Sequence, residues 1–401
     1  MLYIFACLIA LTIQSKFSDV DLCVKCGLCL PHCPTYTLSQ NENESPRGRL
    51  ALIQGWSEGQ LELSDTLTQH IGNCLTCRAC EKMCPAQVPY AEISNRFRSE
   101  TATSSTHQLG LLERSAIKAL TGPYRKAFNA LLRFYLKTGL NKCSLTLNEV
   151  LPGKVLANQL KQTYPSLAPV KQGHVALFTG CASEVLDSKT IKDAIFLLQH
   201  CGFNVTLPKT QRCCGAIDLH AGNKKQVELY TQQNHLAFSD NNYDAIITVA
   251  SGCGATLSEY DPPLTTQVID ISDFIAPFLP ALSFKPLTAS AWLHTPCTLK
   301  NVQSKGTDIV ELLNNISELD IRSFNTDQMC CGAAGTQMLT HKKTAQTLRK
   351  QTLMPIKQRP ADYLLSSNIG CALHLNAGLK SEGLNSQVLH PVSLLSQQLK
   401  V

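Results

Sequence analysis

Two kinds of apolar pattern alternate along this chain. Short runs such as HVALF before Cys181 and AIITVA before Cys253 have the length of buried strands. Between them, SKTIKDAIFLLQHCG carries apolar residues at helical spacing. Strand, helix and strand in this order predict an α/β unit whose cysteines lie at the ends of strands.

A second helical pattern, AFNALLRFYLKTG, lies between the cysteine-rich regions. It predicts four apolar side chains on one helical face: Phe128, Leu131, Leu132 and Tyr135. Four basic residues lie close by: Arg125, Lys126, Arg133 and Lys137. The pattern fits a helix that packs on the protein's own core, and it also fits a basic helix that docks a partner subunit or an anionic membrane surface.

The strand-like segments occur twice. Cys181, Cys214 and Cys253 of the first copy match cysteines of a second copy, which are offset by 116, 117 and 118 residues: Cys297, Cys331 and Cys371. Such constant offsets indicate an internal duplication. We therefore predict an α+β multi-domain protein with a helical cluster domain at 15–100, a helical linker at 101–172, and two α/β repeats at 173–285 and 286–401.

Composition narrows the class of protein. The chain has 401 residues, 44% hydrophobic residues and a net charge of +6, which indicate a globular protein and give no argument for nucleic-acid binding. The nineteen cysteines stand in short regular spacings, which favours metal binding in a reducing compartment, the cytoplasm. The apolar run Leu2–Ile13 is too short to span a bilayer, which leaves a buried helix, a misassigned start or a weak anchor.

The stretches CVKCGLCLPHCP and CLTCRACEKMCP both have the spacing Cys-x2-Cys-x2-Cys-x3-Cys-Pro. In this motif the first three thiolates hold one [4Fe–4S] cluster, and the fourth serves the neighbouring cluster. Zinc sites and disulfides do not account for such a repeated pattern. The predicted ligands of cluster 1 are Cys23, Cys26, Cys29 and Cys84. Those of cluster 2 are Cys33, Cys74, Cys77 and Cys80.

Forty residues separate Cys33 from Cys74, and this insert predicts a helix, a turn and a second helix. It resembles the helical ferredoxin domain of the succinate dehydrogenase iron–sulfur subunit. Its SPRGRL segment places Arg47 and Arg49 near the clusters. They would stabilise reduced clusters, meet an acidic partner, or form a solvated helix face.

Each α/β repeat supplies one cysteine, a Cys-Cys-Gly and a further cysteine. The glycine allows a tight turn that aims both adjacent sulfurs at one centre. Four thiolates hold either an iron–sulfur cluster or a zinc ion, and buried structural thiols are the alternative. The first predicted set is Cys181, Cys213, Cys214 and Cys253. The second is Cys297, Cys330, Cys331 and Cys371.

The repeats resemble the cysteine-rich CCG domain of heterodisulfide reductase subunits. That module ends in Cys-x2-Cys, whereas Thr256 and His374 occupy the last position here, which argues against heterodisulfide chemistry. His374 remains either a ligand or an ordinary polar residue. For His220, His294 and His341 the ordinary role is favoured, and Cys7, Cys143 and Cys201 are interpreted as buried thiols.

The order of the motifs, with CPTY, PRGR, ASGCGA, PCTL and CCGAAGT in place, resembles the iron–sulfur subunit of glycolate oxidase over residues 18–401. The resemblance implies a subunit that takes electrons from a flavin-bearing partner, which oxidises glycolate. It implies transfer to a quinone or another membrane acceptor, from the cytoplasm or the inner face of the plasma membrane.

Alternative functions are an iron–sulfur subunit for D-lactate or anaerobic glycerol-3-phosphate oxidation, and a heterodisulfide-reductase-like oxidoreductase. The sequence shows no Rossmann, P-loop or nucleophile-elbow motif. We therefore expect no catalytic residue for substrate oxidation in this chain, and we expect the 2-hydroxy acid to react in the partner.

Overall fold

The computed structural model describes residues 17–102, 111–122, 124–138, 160–239, 242–303, 308–324 and 330–401. These residues form two compact units. The first contains the described parts of Met1–Leu109, Ile217–Lys224 and Asp327–Leu348, and the second contains the rest. Leu2–Ile13, Cys7 and Cys143 lie outside the described residues.

The first unit is helical around the two dense cysteine motifs. Its helices are α1 (Pro34–Ser39), α2 (Pro46–Ser57), α3 (Asp65–Gly72), α4 (Ala79–Lys82) and α5 (Tyr90–Thr101). The helix–turn–helix predicted between the motifs is thus confirmed as α2 and α3. Ser45 caps α2 by accepting a hydrogen bond from the Gly48 N–H, and Pro46 provides a first-turn residue that needs no hydrogen-bond donor.

A small aromatic and aliphatic core supports this unit. Trp56 packs edge-on against Phe17 and Phe97, with ring centroids 5.5 and 4.9 Å apart. Ile53 and Ile71, on α2 and α3, are fully buried in the same core. Because Cys74 and Cys80 also belong to this core, the loops that carry the thiols are held by the packed helices.

The second unit begins with two helices, α6 (Leu111–Thr121) and α7 (Arg125–Lys137). Three of the four residues expected on one face of α7 pack together, since Phe128 and Tyr135 lie beside the buried Leu132. Leu131 is instead 66% exposed. Consecutive helical residues differ by 100° around the axis, which turns Leu131 away from Leu132 and towards the exposed stripe of Phe134.

Two sheets follow in the second unit, and they confirm the duplication. The strands of the first sheet are β1 (Thr163–Tyr164), β2 (Gly173–Phe178), β3 (Phe203–Thr206), β4 (Ala245–Thr248) and β5 (Val268–Asp270). Those of the second are β6 (Ala289–His294), β7 (Leu319–Ser323), β8 (Tyr363–Ser366) and β9 (Gln387–Leu389). The first sheet has the order β1-β3-β2-β4-β5, and the second has β7-β6-β8-β9.

All strand pairs are parallel except β1 with β3. The register is the same in both copies: Val175 faces Ala245, and the residues offset by 116 and 118, Ala291 and Tyr363, face each other as well. Two strands were predicted in each repeat, and the structure has four parallel ones. The additional strands are short, so their apolar runs are weak signals.

Further helices follow along the chain, and those within Ile217–Lys224 and Asp327–Leu348 belong to the first unit. In chain order they are α8 (Ala182–Leu186), α9 (Ser188–His200), α10 (Ala216–His220), α11 (Lys224–Ser239), α12 (Ser251–Ser258), α13 (Ile271–Ile275), α14 (Ile309–Leu313), α15 (Gln337–Thr340), α16 (Lys342–Gln358), α17 (Ile369–Ser381) and α18 (Pro391–Gln398). α9 is the helix predicted from SKTIKDAIFLLQHCG. It packs against β3 and α18, burying Ile191, Leu197 and Leu198 completely. In each repeat, cysteine-bearing loops and helix starts follow the carboxyl ends of the central strands.

Candidate iron–sulfur and thiolate sites

Four thiols from both dense motifs line one small cavity in the first unit: Cys33, Cys74, Cys77 and Cys80. This is the set predicted for cluster 2. Cys33 precedes α1, Cys74 follows α3, and Cys80 lies within α4. Cys33, Cys74 and Cys80 are buried, whereas Cys77 is half-buried. The shared cavity and the four-thiol donor set fit a [4Fe–4S] cluster at this position.

The electrostatics of this cavity differ from thiol to thiol. Burial and the neighbouring Cys330 thiol raise the pKa of Cys77 well above its ordinary value. Burial, with the Cys77 thiol nearby, does the same for Cys80. At Cys74 burial opposes ionisation, but the Arg49 and Arg98 guanidinium groups outweigh it and lower the pKa. Without a metal the set therefore holds protons that binding a cluster must release.

The predicted cluster 1 residues lie nearer the surface. Cys26 is exposed, and Cys23, Cys29 and Cys84 are half-buried. Burial raises the pKa of Cys29 to about 11, and the Cys23 thiol contributes to this shift. Cys23, Cys29 and Cys84 all pack on the core of the first unit. The structure therefore places these three on one core, with Cys26 on the outer side of its loop.

Arg47 and Arg49 leave α2 in different directions. Arg47 pairs with Glu42, with Nε and Oε1 2.7 Å apart, and its Nη1 donates to the Lys25 carbonyl at 2.9 Å. It therefore fixes the loop between Cys23 and Cys26. Arg47 therefore lies on the partly solvated face of the helix. Arg49 instead lies beside the thiols, in the position expected of a residue that stabilises a reduced cluster.

Arg49 is buried to 1% exposure and lines the Cys33–Cys80 cavity. Its Nη2 lies 2.6 Å from Glu44 Oε2, and its Nε donates to the His70 carbonyl at 2.7 Å. The other Glu44 oxygen contacts His70 Nδ1 at 2.6 Å and accepts from the Asn73 amide at 2.8 Å. This network places a fixed positive charge where a reduced cluster would add negative charge.

The segments that follow both Cys-Cys-Gly motifs belong to the first unit and contact the Cys74 loop. His220 Nδ1 lies 3.0 Å from Thr76 Oγ1. Gln337 Nε2 donates to the Gly72 carbonyl at 2.5 Å and to the Cys74 carbonyl at 3.4 Å. His220 and Gln337 are related by the repeat offset of 117 residues. The duplication therefore supplies two equivalent side chains to one cluster loop, a role that the sequence pattern did not reveal for His220.

We predict that Gln337→Leu loosens the Cys74 loop. It removes the donor of the Gly72 carbonyl and the weaker of two donors of the Cys74 carbonyl, which keeps its bond from Arg98; the loss is about 1–3 kcal/mol. Loss of visible absorbance from the reconstituted protein in a chelator should then be about tenfold faster, as follows from about 1.4 kcal/mol. Gln69→Leu, the same change at an exposed position of α3, is the control. Equal bleaching rates in both variants would refute this role for Gln337.

In the second unit the first Cys-Cys-Gly set converges. Cys213 Sγ lies 3.5 Å from Cys181 Sγ. The Cys213, Cys214 and Cys253 thiols are hydrogen-bonded in turn. The bond with Cys213 lowers the pKa of Cys214, but the bond with Cys253 and burial outweigh it and raise the pKa well above its ordinary value. Gly215 has a φ of 88°, as the predicted tight turn requires. The structure thus brings all four predicted thiols of the set together, and this donor set fits a metal centre.

Neighbouring side chains hold the backbone of this set. The Tyr260 hydroxyl donates to the Cys214 carbonyl at 2.9 Å, and the Asn234 amide donates to the Cys213 carbonyl at 3.1 Å. Arg125, at the start of α7, pairs with Glu184 at 3.0 Å and opposes the rise in the pKa of Cys181. Arg125, the first residue of α7, therefore has an internal role.

The second Cys-Cys-Gly set divides between the units. Cys330 and Cys331 lie in the first unit and are buried, and Cys297 and Cys371 lie in the second. A His294 ring nitrogen lies within 4.8 Å of the Cys371 sulfur, and both side chains are buried. His294 precedes Cys297 by three residues at the end of β6, and this spacing is the signal that could have favoured it. His374 is also buried, on α17.

Comparison with known proteins agrees with this division of motifs. A 4Fe-4S dicluster domain model matches residues 19–88, and a cysteine-rich domain model matches 175–258 and 291–376. A probable glycolate oxidase iron-sulfur subunit from Bacillus subtilis is 30% identical over 414 residues, covering 93% of this chain and 92% of the relative. This chain belongs to the family of glycolate oxidase iron–sulfur subunits.

Other members and relatives show the breadth of this group. The glycolate oxidase iron-sulfur subunit of Escherichia coli is 29% identical, covering 96% of this chain and 95% of that protein. Lactate utilization protein A 1 of Bacillus anthracis is 25% identical, covering 56% of this chain and 98% of that protein.

As a member of this family, the chain is an iron–sulfur protein with a [4Fe–4S] dicluster domain and two cysteine-rich domains. It is the electron-transfer component of an oxidoreductase and works with a partner subunit. None of the described helices combines the length and apolarity needed to cross a bilayer.

Proposed function

We propose that this chain passes electrons, one at a time, from the flavin of a partner that oxidises glycolate to glyoxylate towards a quinone-type acceptor. The observation that carries the proposal is the arrangement of eight thiols as one surface set and one buried set. When bound, [4Fe–4S] clusters supply one-electron transfer between a two-electron donor and an acceptor.

The proposed ligands are those named from the motifs. Cys23, Cys26, Cys29 and Cys84 would hold the outer cluster, and Cys33, Cys74, Cys77 and Cys80 the inner one. Arg49 and Arg98 favour negative charge at the inner set, as their effect on the pKa of Cys74 indicates. His220 and Gln337 orient the loop of the inner set through their hydrogen bonds.

An exposed apolar surface next to the outer set supports electron entry there. Val24 is 71% exposed and Leu28 is 55% exposed, and both lie between cysteines of the first motif. Exposed aliphatic side chains around a redox centre are typical of a surface that a partner covers. We therefore propose this loop as the docking face for the flavin subunit.

The test is anaerobic reduction of the holoprotein by glycolate in the presence of its flavin partner, followed by electron paramagnetic resonance of the clusters. We expect glycolate to reduce both clusters, and Val24→Glu to slow the reduction about tenfold by placing a charge in the docking face. Leu63→Glu, at another exposed apolar position of the first unit, is the control.

A second candidate is lactate oxidation, favoured by the similarity to lactate utilization protein A 1. Reduction by D-lactate and not by glycolate would establish it in place of the first. Reduction by glycerol 3-phosphate alone would indicate the related dehydrogenase. A partner that reduces the Val24→Glu and Leu63→Glu variants at equal rates would contradict the proposed docking face.

A further inference from the structure

A cavity of about 240 Å³ lies within the second unit, between the two repeats. The first repeat contributes α8 and the start of α9, and the second contributes α17, β9 and the start of α18. Its rim carries the exposed side chains of Lys189 and Gln387. At about 30 Å³ for each water, the volume corresponds to roughly eight waters or a single substituted ring.

The internal duplication shows that this space depends on particular residues. Ala372 on α17 and Asp187 before α9 both line the cavity. The repeat offsets relate them to Gly254 and Gln303. There the Gln303 side chain packs so closely that a Cβ on Gly254 would lie 2.0 Å from its Nε2. The longer side chain fills the space in one copy, whereas the shorter aspartate leaves it open in the other.

The charges around the cavity disfavour an anion. Burial raises the pKa of Asp187 to about 6, which leaves it mostly ionised at neutral pH. Lys189 Nζ pairs with Asp193 at 2.7 Å and is 46% exposed. Burial lowers the pKa of His390 to about 3, so its ring is uncharged. A ligand with a carboxylate would therefore be repelled by ionised Asp187, and none of the described residues that line the cavity offers it an unpaired cation.

The walls suit a flat ring that carries carbonyl oxygens. Leu186, Val249 and Leu373 provide apolar surface. His390 Nδ1 accepts a hydrogen bond from the Val392 N–H at 3.2 Å, which places the ring proton on Nε2. That nitrogen is buried and faces the Val249 carbonyl without a well-formed hydrogen bond. His390, Ser183, Ser393 and Asn376 all line the cavity and give it polar groups for ligand carbonyls.

We propose that this cavity binds the uncharged head group of a quinone. Ala372 directly follows Cys371, and Ser183 lies two residues after Cys181, so parts of the wall are within about 7 Å of both cysteines along the backbone. The inference rests on the proposed function and further assigns the reductant beside the cavity to a reduced iron–sulfur centre on the Cys181 set. Two electrons, delivered one at a time by this centre, and two protons from solvent at the rim would convert both quinone carbonyls to hydroxyl groups.

Duroquinone binding to the oxidised holoprotein, measured by calorimetry, tests the proposal. Methyl groups block every free position of this ring, so it does not alkylate thiols. We expect saturable binding that weakens at least tenfold in Asn376→Phe, which fills the cavity, and in Gln387→Trp, which covers the rim from the exposed first position of β9. Lys380→Phe, at an exposed position of the same helix α17, should bind as the parent does.

If Asn376→Phe loses its fold, as judged by circular dichroism and cluster absorbance, Gln387→Trp carries the test. Absence of saturable duroquinone binding, or parent affinity in every folded variant, overturns the proposal. Binding of glycolate that displaces duroquinone overturns the ligand class. Glycolate-driven cluster reduction in the same variants reports on the proposed function separately, because it does not need the cavity.

Discussion

Replacing Cys80 with serine is expected to remove the inner cluster and interrupt electron transfer through this subunit. Cys80 is buried in α4 and shares its cavity with Cys33, Cys74 and Cys77. A serine hydroxyl is a poor ligand for iron beside three thiolates, so iron and acid-labile sulfide should fall by about four each per chain. Transfer from glycolate to a quinone should fall at least a hundredfold.

The flavin partner should still reduce an artificial dye in the Cys80→Ser complex, because substrate oxidation is proposed to occur there. Cys201→Ser is the matched control, since Cys201 is a buried thiol outside all four sets. Its pKa is raised by burial alone, to about 12. If dye reduction disappeared from an assembled Cys80→Ser complex, a role limited to electron transfer would be wrong.

Replacing Arg49 with methionine is expected to lower the free energy of unfolding of the reconstituted protein by about 3–5 kcal/mol. The reason is that Glu44 keeps its buried charge and loses its cationic partner, which lies 2.6 Å away. The reduction potential of the inner cluster should fall as well, because a nearby cation stabilises the more negative reduced state. Denaturant unfolding and a redox titration followed by electron paramagnetic resonance measure the two effects.

A second substitution separates the charge effect from packing. In Arg49→Met with Glu44→Gln the uncompensated carboxylate is gone, so part of the stability should return while the potential stays low. Arg96→Met is the control, since Arg96 forms a partly exposed pair with Glu92. An unchanged potential in Arg49→Met would show that this guanidinium does not influence the cluster.

The two arginines of SPRGRL illustrate how far the sequence could lead. Their nearness to the clusters was predicted from the motif order, but the pattern gave no reason to separate them. Arg47 and Arg49 lie two residues apart on α2 and so point about 200° apart around its axis. One faces the Cys23–Cys26 loop, and the other enters the core beside Cys74. Which of the two is buried depends on where α3 and its carbonyl groups lie.

The histidines show the same limit. By its spacing, His374, three residues after Cys371, is either a ligand or an ordinary polar residue, whereas the sequence favours an ordinary polar role for His294. The structure places His294 beside the Cys371 sulfur. His294 is the last residue of β6, and Cys371 follows β8. The two residues come close together because β6 and β8 pair in parallel in one sheet. Spacing along the chain contains no information on that pairing.

The fold class, the duplication and the two cluster motifs follow from the amino-acid sequence alone. Each of these features depends on the spacing of residues that are close in sequence, because a short loop, a strand or a helix places its side chains over only a few residues. The burial of the Arg49 charge, and the contacts of His220 and Gln337 with the Cys74 loop, follow only from the three-dimensional fold. The same holds for the cavity beside Asp187 and Ala372, whose counterpart in the other repeat is filled by the Gln303 side chain against Gly254. Those outcomes depend on packing between residues far apart in sequence, where one side chain's volume or charge is set by its neighbours.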